Sequence, residues 1–348
     1  MGLWALPAAR QNHGQVPGVA ILLLCNLPRC HSALGGTSGR RPARWFALSP
    51  VGRCETTQPD PAQRAADSVQ ESRDSGHSRP VLIQRMAQGV LAPSQDLLAV
   101  EEPLEVRIEG VSYLVTMRTP GHDLDLVAGL LHSEGLIDGP DDIRAMAHVD
   151  SPFRPRGNTV DVRLAAGVAP PAVAKARRVY ASSACGVCGA ASMDEVLRSV
   201  PRQARAQAPD PAVLHPLPAQ LREVQATFEL TGGLHGAALF TMQGELQLHR
   251  EDIGRHNAVD KVVGARLWAD ELPVDDCILL TSGRVGFEII QKAAMARIPV
   301  VCAVGAPSSL AAALAWEAGI VLIGFLRDDR YNIYEAVGDQ ASVVEGRC

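Results

Sequence analysis

"CILLTSGRVGFEIIQKAAMARIPVVCAVGAPSSLAAALAWEAGIVLIGFLR", residues 277–327, decides the fold. Three short runs in it, "CILLT", "IPVVCAVG" and "IVLIGFLR", are apolar without alternation. Between them "FEIIQKAAMA" and "PSSLAAALAWEAG" carry apolar residues at helical spacing. The order is βαβαβ, which requires a parallel sheet. Strands without a polar side are expected where helices cover both faces. Three loops, Ser282 to Gly286, Gly305 to Ser309 and Arg327 to Tyr331, then fall at the carboxyl edge, where ligands bind in such sheets. There Ser282, Arg284 and Ser308 offer hydroxyls and a guanidinium beside helix N-terminal amides, a setting for an anion and for phosphate first. Ser and Gly are also ordinary turn residues. Neither GxGxxG nor a P-loop occurs in a strand-turn-helix setting, which disfavours nicotinamide and ATP.

Outward from this segment the pattern stays readable. "PLEVRIEGVSYLVTM" (103–117) alternates on both sides of Glu109-Gly110 and "ALFTMQGELQLHRED" (238–252) on both sides of Gln243-Gly244, two hairpin signals. "LDLVAGLLHSEG" predicts a helix closing on Gly135, "TVDVRLAAG" a strand, and "LPAQLREVQATFEL" (217–230) one helix. "PPAVAKARRVY" reads as a helix leading into "ASSACGVCGAAS" (181–192), after which Ser192 and Glu195 form a capping box. In "GRHNAVDKVVG", His256 and Asp260 lie one helical turn apart, opposite an apolar stripe of Val259, Val262 and Val263. His256 fits a base or an anion contact, and equally a surface histidine bonded to a nearby carboxylate.

The resulting division is a disordered extension, or one translated from too early a start, over 1–78; an α+β domain over 79–168; a helix and mobile CxxC loop over 169–215; and an α/β domain over 216–340. Residues 1–78 are rich in Arg, Ser, Pro, Gly and Gln and show no sustained apolar period after Cys25. The run "GVAILLLC" is too short to span a bilayer. A net charge of -5 with 4% aromatic residues argues against a nucleic-acid surface. Eight cysteines scattered over 348 residues are unlike a secreted disulfide framework, so a reducing cytosol is expected.

The chemistry-bearing feature is the pair Cys185 and Cys188. Structural zinc needs four ligands, and no second CxxC or HxxxH is present. A thioredoxin-like pair ordinarily heads a βαβ unit, whereas here a helix and loop precede it. A thiol near a helix N-terminus, on glycines that free the backbone, favours a thiolate. Redox and sulfur-carrier chemistry both remain open on these residues. Cys277 and Cys302, inside apolar strands, read as small core residues.

Seven stretches, "EEPLEVRIEG", "VTMRTPG", "ACGVCG", "TGGLHGAALF", "EDIGRHNAVDKVVG", "TSGRVGFEIIQKAAMARIPVV" and "GFLRDDRYNIY", resemble in this order the FdhD family of formate dehydrogenase accessory proteins. The resemblance runs over about residues 80–338, and Gly236 stands where Ala is more usual in the family. It implies a cytidine-deaminase-like fold with a parallel or mixed sheet and flanking helices. It implies a sulfurtransferase that takes sulfur from a cysteine desulfurase and passes it to Mo-bis(molybdopterin guanine dinucleotide), its cargo, on the way to formate dehydrogenase. Cys185 then carries the persulfide with Cys188 as its partner. The cofactor-binding segment falls on Leu326, Arg327, Asp328, Asp329, Arg330 and Tyr331. A homodimer without a tightly held metal of its own is expected, in the cytoplasm, with no nucleic acid or membrane partner. Zinc deaminases pair HxE with PCxxC; "LHGAA" lacks the glutamate and "ACGVCG" the proline, so deamination is disfavoured. A pure cofactor chaperone and a CxxC dithiol redox protein are the competing readings.

Overall fold

The computed structural model describes residues 76–150, 157–170, 180–181 and 200–335. The segment 277–327 folds as its pattern requires. Strand β10 (Cys277–Thr281), helix α6 (Phe287–Met295), β11 (Val300–Ala303), α7 (Ser309–Ala318) and β12 (Val321–Arg327) follow one another, with β10, β11 and β12 parallel. β12 turns back into β13 (Arg330–Tyr334), while β8 (His235–Thr241) joins β10 antiparallel and carries β9 (Leu246–Asp252). The sheet is therefore mixed, in the order β13-β12-β11-β10-β8-β9.

Its strands alternate between two apolar layers rather than between core and water. Cys277, Leu279, Val301, Ala303 and Leu322 point into one core with α6, α7 and α5 (Arg255–Trp268). Ile278, Leu280, Val300, Cys302 and Ile323 point into the other, closed by α2 (Pro211–Leu214) and α3 (Leu217–Val224). Both cysteines are thus core side chains; burial pushes the Cys277 thiol up to about 12 and Cys302 higher still, so neither is a thiolate at neutral pH.

A second sheet, β5-β6-β3-β4-β7, is built from β3 (Glu102–Ile108), β4 (Val111–Arg118), β5 (Ile143–His148), β6 (Thr159–Leu164) and the two-residue β7 (Tyr180–Ala181). Helix α1 (Asp123–Ser133) covers it with Leu126, Val127, Leu130 and Leu131. The described residues belong to one compact unit, in which α1 and α5 cross at backbone contact. A Cβ on Gly129 would lie 1.9 Å from the Asp260 carbonyl oxygen, and one on Gly264 1.8 Å from that of Asp125. Across the crossing Ser133 Oγ donates to Asp260 (3.1 Å), and beside it Arg250 of β9 holds Asp125 of α1 (2.9 Å).

Both expected hairpins form, at Glu109-Gly110 and Gln243-Gly244. The single helix expected over 217–230 is instead two, α3 and α4 (Ala226–Thr231), broken at Gln225 (φ -81, ψ 69). The cause is tertiary. The Glu251 carboxylate of β9 accepts from Thr227 N (3.0 Å) and Phe228 N (2.8 Å), satisfying first-turn amides that a continuous helix would use internally. A further ribbon, β1 (Ser78–Ala87) with β2 (Val90–Ala99), pairs with no other strand among the described residues. Among them no helix is long and apolar enough to cross a membrane. Cys185, Cys188, the helix expected before them, the capping box Ser192/Glu195 and residues 1–75 lie outside the described residues.

Candidate functional site

The three carboxyl-edge loops are joined side by side beyond the end of the sheet. Gly305 N donates to Gly283 O (3.1 Å), Val285 N to Ala306 O (3.1 Å), Ser308 N to Val285 O (2.9 Å) and Phe325 N to Gly305 O (3.0 Å). This approach leaves no room at Gly305, where a Cβ would meet Gly283 O at 2.8 Å and Arg284 N at 3.0 Å. The loops after β10 and β11 and the end of β12 therefore form one continuous rim, from which the β12–β13 turn follows directly.

The side chains expected on that rim divide into two sets. Arg284, Arg327, Asp328, Asp329 and Arg330 are exposed, and the three arginines form no ion pair among the described residues. Asp328 sits at the turn with φ 41. The other set is held by the fold. Ser282 Oγ accepts from Gly236 N (2.9 Å), and Ser308 Oγ caps α7 by accepting from Ala311 N (3.1 Å). Each hydroxyl keeps its proton for a further acceptor. Leu326 is wholly buried with Phe240 and Leu280, so only its backbone can face a ligand. Tyr331 is half-buried, its ring 5.8 Å from that of His215.

Two residues that the sequence reading passed over complete the rim. His235, at the start of β8, lies against Gly283, where a Cβ would come within 3.2 Å of its Nδ1 and 3.7 Å of Arg255 Cδ. Burial, then the Arg255 charge, lowers the His235 pKa, with Arg284 adding to the effect and Asp252 opposing it. Arg255 Nε is buried without a hydrogen-bond partner among the described residues. Gly286, the N-cap of α6, makes no side-chain cap. Unspent donors therefore converge from α6, Arg255 and Arg284, an arrangement for a phosphate or another oxyanion. The glycines around His235 in "GGLHG" and the Gly-Arg opening of α5 were the available signals.

His256 and Asp260 do not act together. His256 Nε2 is 3.2 Å from Glu288 and Asp260 is held by Lys292 at 2.8 Å, both partners on α6. The bonded-carboxylate reading of His256 holds, but the ring is buried rather than on the surface. Burial raises the Asp260 pKa to about 6, against the pull of Lys292.

Fold and rim define an α/β protein with exposed arginines on a rim at the carboxyl ends of the parallel strands of a mixed sheet. The sequence comparisons place it more closely. Residues 99–339 match the model of the FdhD/NarQ family, and the chain belongs to that family. It is 48% identical over 257 residues to the sulfur carrier protein FdhD of Streptomyces avermitilis, covering 72% of this chain and 91% of that protein. To the protein of the same name from Mycobacterium tuberculosis it is 47% identical over 251 residues, 69% of this chain and 90% of the relative. A crystal structure assigned as a formate dehydrogenase accessory protein from Desulfotalea psychrophila shares the fold, with TM-score 0.58 and 24% identity over 75% of this chain and 97% of that one.

Proposed function

We propose that the chain is a sulfur carrier acting in formate dehydrogenase maturation. In this reading the Cys185 thiolate attacks the terminal sulfur of a persulfide on a cysteine desulfurase. A new S–S bond forms at Cys185, the desulfurase cysteine leaves as a thiolate, and no net oxidation occurs. Attack of the Cys188 thiolate on Cys185 Sγ then forms a Cys185–Cys188 disulfide and releases the outer sulfur as sulfide to Mo-bis(molybdopterin guanine dinucleotide), and a dithiol reductant returns the pair to two thiols. The observation that carries the cargo half is the rim, where Arg284, Arg327 and Arg330 are exposed and form no ion pair among the described residues, Arg284 lying just before the N-cap of α6. Two pyrophosphates need such donors, and guanidinium groups supply them in bidentate form. The six-stranded half with its antiparallel β8–β9 edge fits a deaminase-like scaffold.

Self-association belongs to the same reading, through the β1–β2 ribbon. One of its faces, Pro80, Leu82, Gln84 and Met86 beside Leu91, Pro93, Gln95 and Leu97, carries no charge, and Leu82 is 83% exposed. Strands of ten residues make a ribbon ~33 Å long and ~10 Å wide, or ~330 Å² per face. Two copies that each lay this face on the other bury about 1,300 Å² in total, within the range of stable interfaces, whereas one such contact with a different protein gives about half of that.

Incubation with a desulfurase and cysteine, followed by mass spectrometry, tests the carrier step. A gain of about 32 Da on Cys185 is expected. Its absence, or full formate dehydrogenase maturation by Cys185→Ala in cells lacking the native protein, refutes the step and leaves the chaperone reading. Turnover of a disulfide substrate with equal need for both cysteines would identify a dithiol oxidoreductase instead.

A further inference from the structure

A second concavity lies away from the rim. A cavity of about 460 Å³ opens between the β4–α1 loop, the α3–α4 junction, β9 and α5, and none of its lining residues belongs to the rim loops. Thr119, Pro120, Gly121 and His122 form one wall, Val224, Ala226 and Thr227 a second, and His249, Arg250 and Glu251 a third; His77, Leu234 and Lys261 complete it.

Its charged groups are already held. Lys261 Nζ is 2.8 Å from Asp252 and donates to Thr119 O, Arg250 is paired with Asp125, and Glu251 accepts the two amides of α4. His122 Nδ1 lies 3.5 Å from Asp125 Oδ2. The unspent groups are imidazoles: the backbone carbonyls of His77 and His249 accept from Val100 N and Arg250 Nη1, but neither ring has a hydrogen-bond partner among the described residues. The site is shaped to admit His77. A Cβ on Gly121 would lie 2.7 Å from His77 Nε2, and Gly121 has φ +95. The next residue, His122, holds φ 54, a conformation that side chains adopt at a cost and that concentrates at ligand sites.

We propose that this cavity binds a small oxyanion carried on an apolar group, with its charged head between His77 and His249 and its apolar part against Pro120, Val224, Ala226 and Leu234. The sign follows from the two unpartnered imidazoles, which donate N–H and become cationic on taking up a proton, while the one lining carboxylate, Glu251, is spent on the α4 amides. A cation would sit beside Lys261 and Arg250, and the described residues contain no group of three His, Cys, Asp or Glu placed to hold a metal. Two carboxylates, Asp252 and Asp125, stand behind Lys261 and Arg250 and neutralise them, and with Glu251 they put three carboxylates against two cations, so the attraction for an anion comes from an imidazole that takes up a proton. His77 faces Lys261, His122, Asp123 and Arg118, and His249 faces Arg250 and His122. Burial first and then these cations hold both imidazoles neutral. An arriving anion reverses that balance, and the ring nearest the head takes up a proton from solvent. Binding is therefore proton-linked. The site is independent of the sulfur-carrier reading.

The experiment uses the full chain and two probes. Benzenesulfonate keeps a single charge between pH 6 and 8, and phenyl phosphate gains charge over that range. Calorimetry at both pH values, with the ring protons of His77 and His249 followed by NMR, is expected to show benzenesulfonate binding about ten-fold tighter at pH 6 than at pH 8, one linked proton allowing at most about 100-fold. Tighter binding of phenyl phosphate at pH 8 would assign the head as phosphate, and preference for benzenesulfonate at both pH values a singly charged oxyanion. His249→Gln and His77→Gln, checked for unchanged thermal unfolding at pH 8, are expected to lose the pH dependence of binding. Failure of both probes to bind at millimolar concentration, pH-independent binding, or ring signals that do not move overturns the proposal.

Discussion

The α1–α5 crossing is the joint on which the two sheets are hung, and Gly264→Ala tests it. The added methyl would lie 1.8 Å from Asp125 O and 2.8 Å from Gly129 N, where ordinary contact begins at 3.4 Å. Both neighbours are helix backbone, so the helices must separate by about 1.6 Å, the difference between those two distances. The bond that bridges the crossing, Ser133 to Asp260 at 3.1 Å, and the one from Lys261 of α5 to Thr119 O ahead of α1 at 2.9 Å would then exceed hydrogen-bonding range. Overpacking alone costs about 1–3 kcal/mol, and each buried polar group left without a partner about 1–3 kcal/mol more. Against this stands a gain of about 1 kcal/mol in helix propensity. The net expectation is a loss of about 4 kcal/mol, a large part of a total stability of roughly 5–15 kcal/mol. Urea unfolding followed by circular dichroism reads this as a fall in midpoint. Gly286→Ala is the control, since a Cβ there meets nothing within 4 Å. A Gly264→Ala protein within about 1 kcal/mol of the parent would refute the claim that backbone contact at this crossing holds the sheets together.

Two further outcomes follow from the same groups. His77, His235 and His249 all have lowered pKa values in the folded chain, with burial the first cause in each. Below the unfolded value of 6.5 the unfolded state binds more protons at these sites, so stability present at higher pH is lost as pH falls through 6.5. The melting temperature should drop between pH 7.5 and 6, a window above most of the opposing titration of Asp260, and the drop should shrink in His249→Gln; a flat profile sinks the assignment. For the ribbon, Leu82→Glu with Leu91→Lys should yield a monomer by light scattering, whereas Val90→Glu on the opposite face should not. A parent chain that is monomeric at micromolar concentration excludes this contact.

The parallel-sheet half was legible in the sequence because its signals are local. Strands buried on both faces must be apolar throughout, and each helix between them repeats at its own period, so 277–327 could be parsed without knowing what it packs against. The glycine turns at 109–110 and 243–244 were legible for the same reason. What the sequence concealed depends on contacts between distant segments. Nothing in "LREVQATFEL" marks Gln225 as a break; it arises because Glu251, on another strand, supplies a carboxylate to the amides that follow. Gly129 and Gly264 read as weak helix residues until each is seen against the other's helix. His235 and Arg255 reach the rim from two segments, neither of which carries a nucleotide-binding pattern of its own.

The buried pair Lys261–Asp252 connects these observations. Both side chains are almost completely buried, and removing two charges from water offsets most of what their attraction contributes, so the pair is a poor source of stability compared with apolar packing. Its geometry is specific instead. Lys261 donates to the Thr119 carbonyl at 2.9 Å while Asp252 accepts the Thr119 amide at 3.2 Å, so one residue of the β4–α1 loop is held at both backbone polar groups. Asp252 also accepts from Gly254 N and from Asn257 Nδ2, which sets the start of α5 and, next to Gly254, the position of Arg255. One carboxylate thereby places the wall of the His77–His249 cavity and the inner guanidinium of the rim. Displacing it should move both sites together, whereas changes at Arg284 or His249 act on one alone.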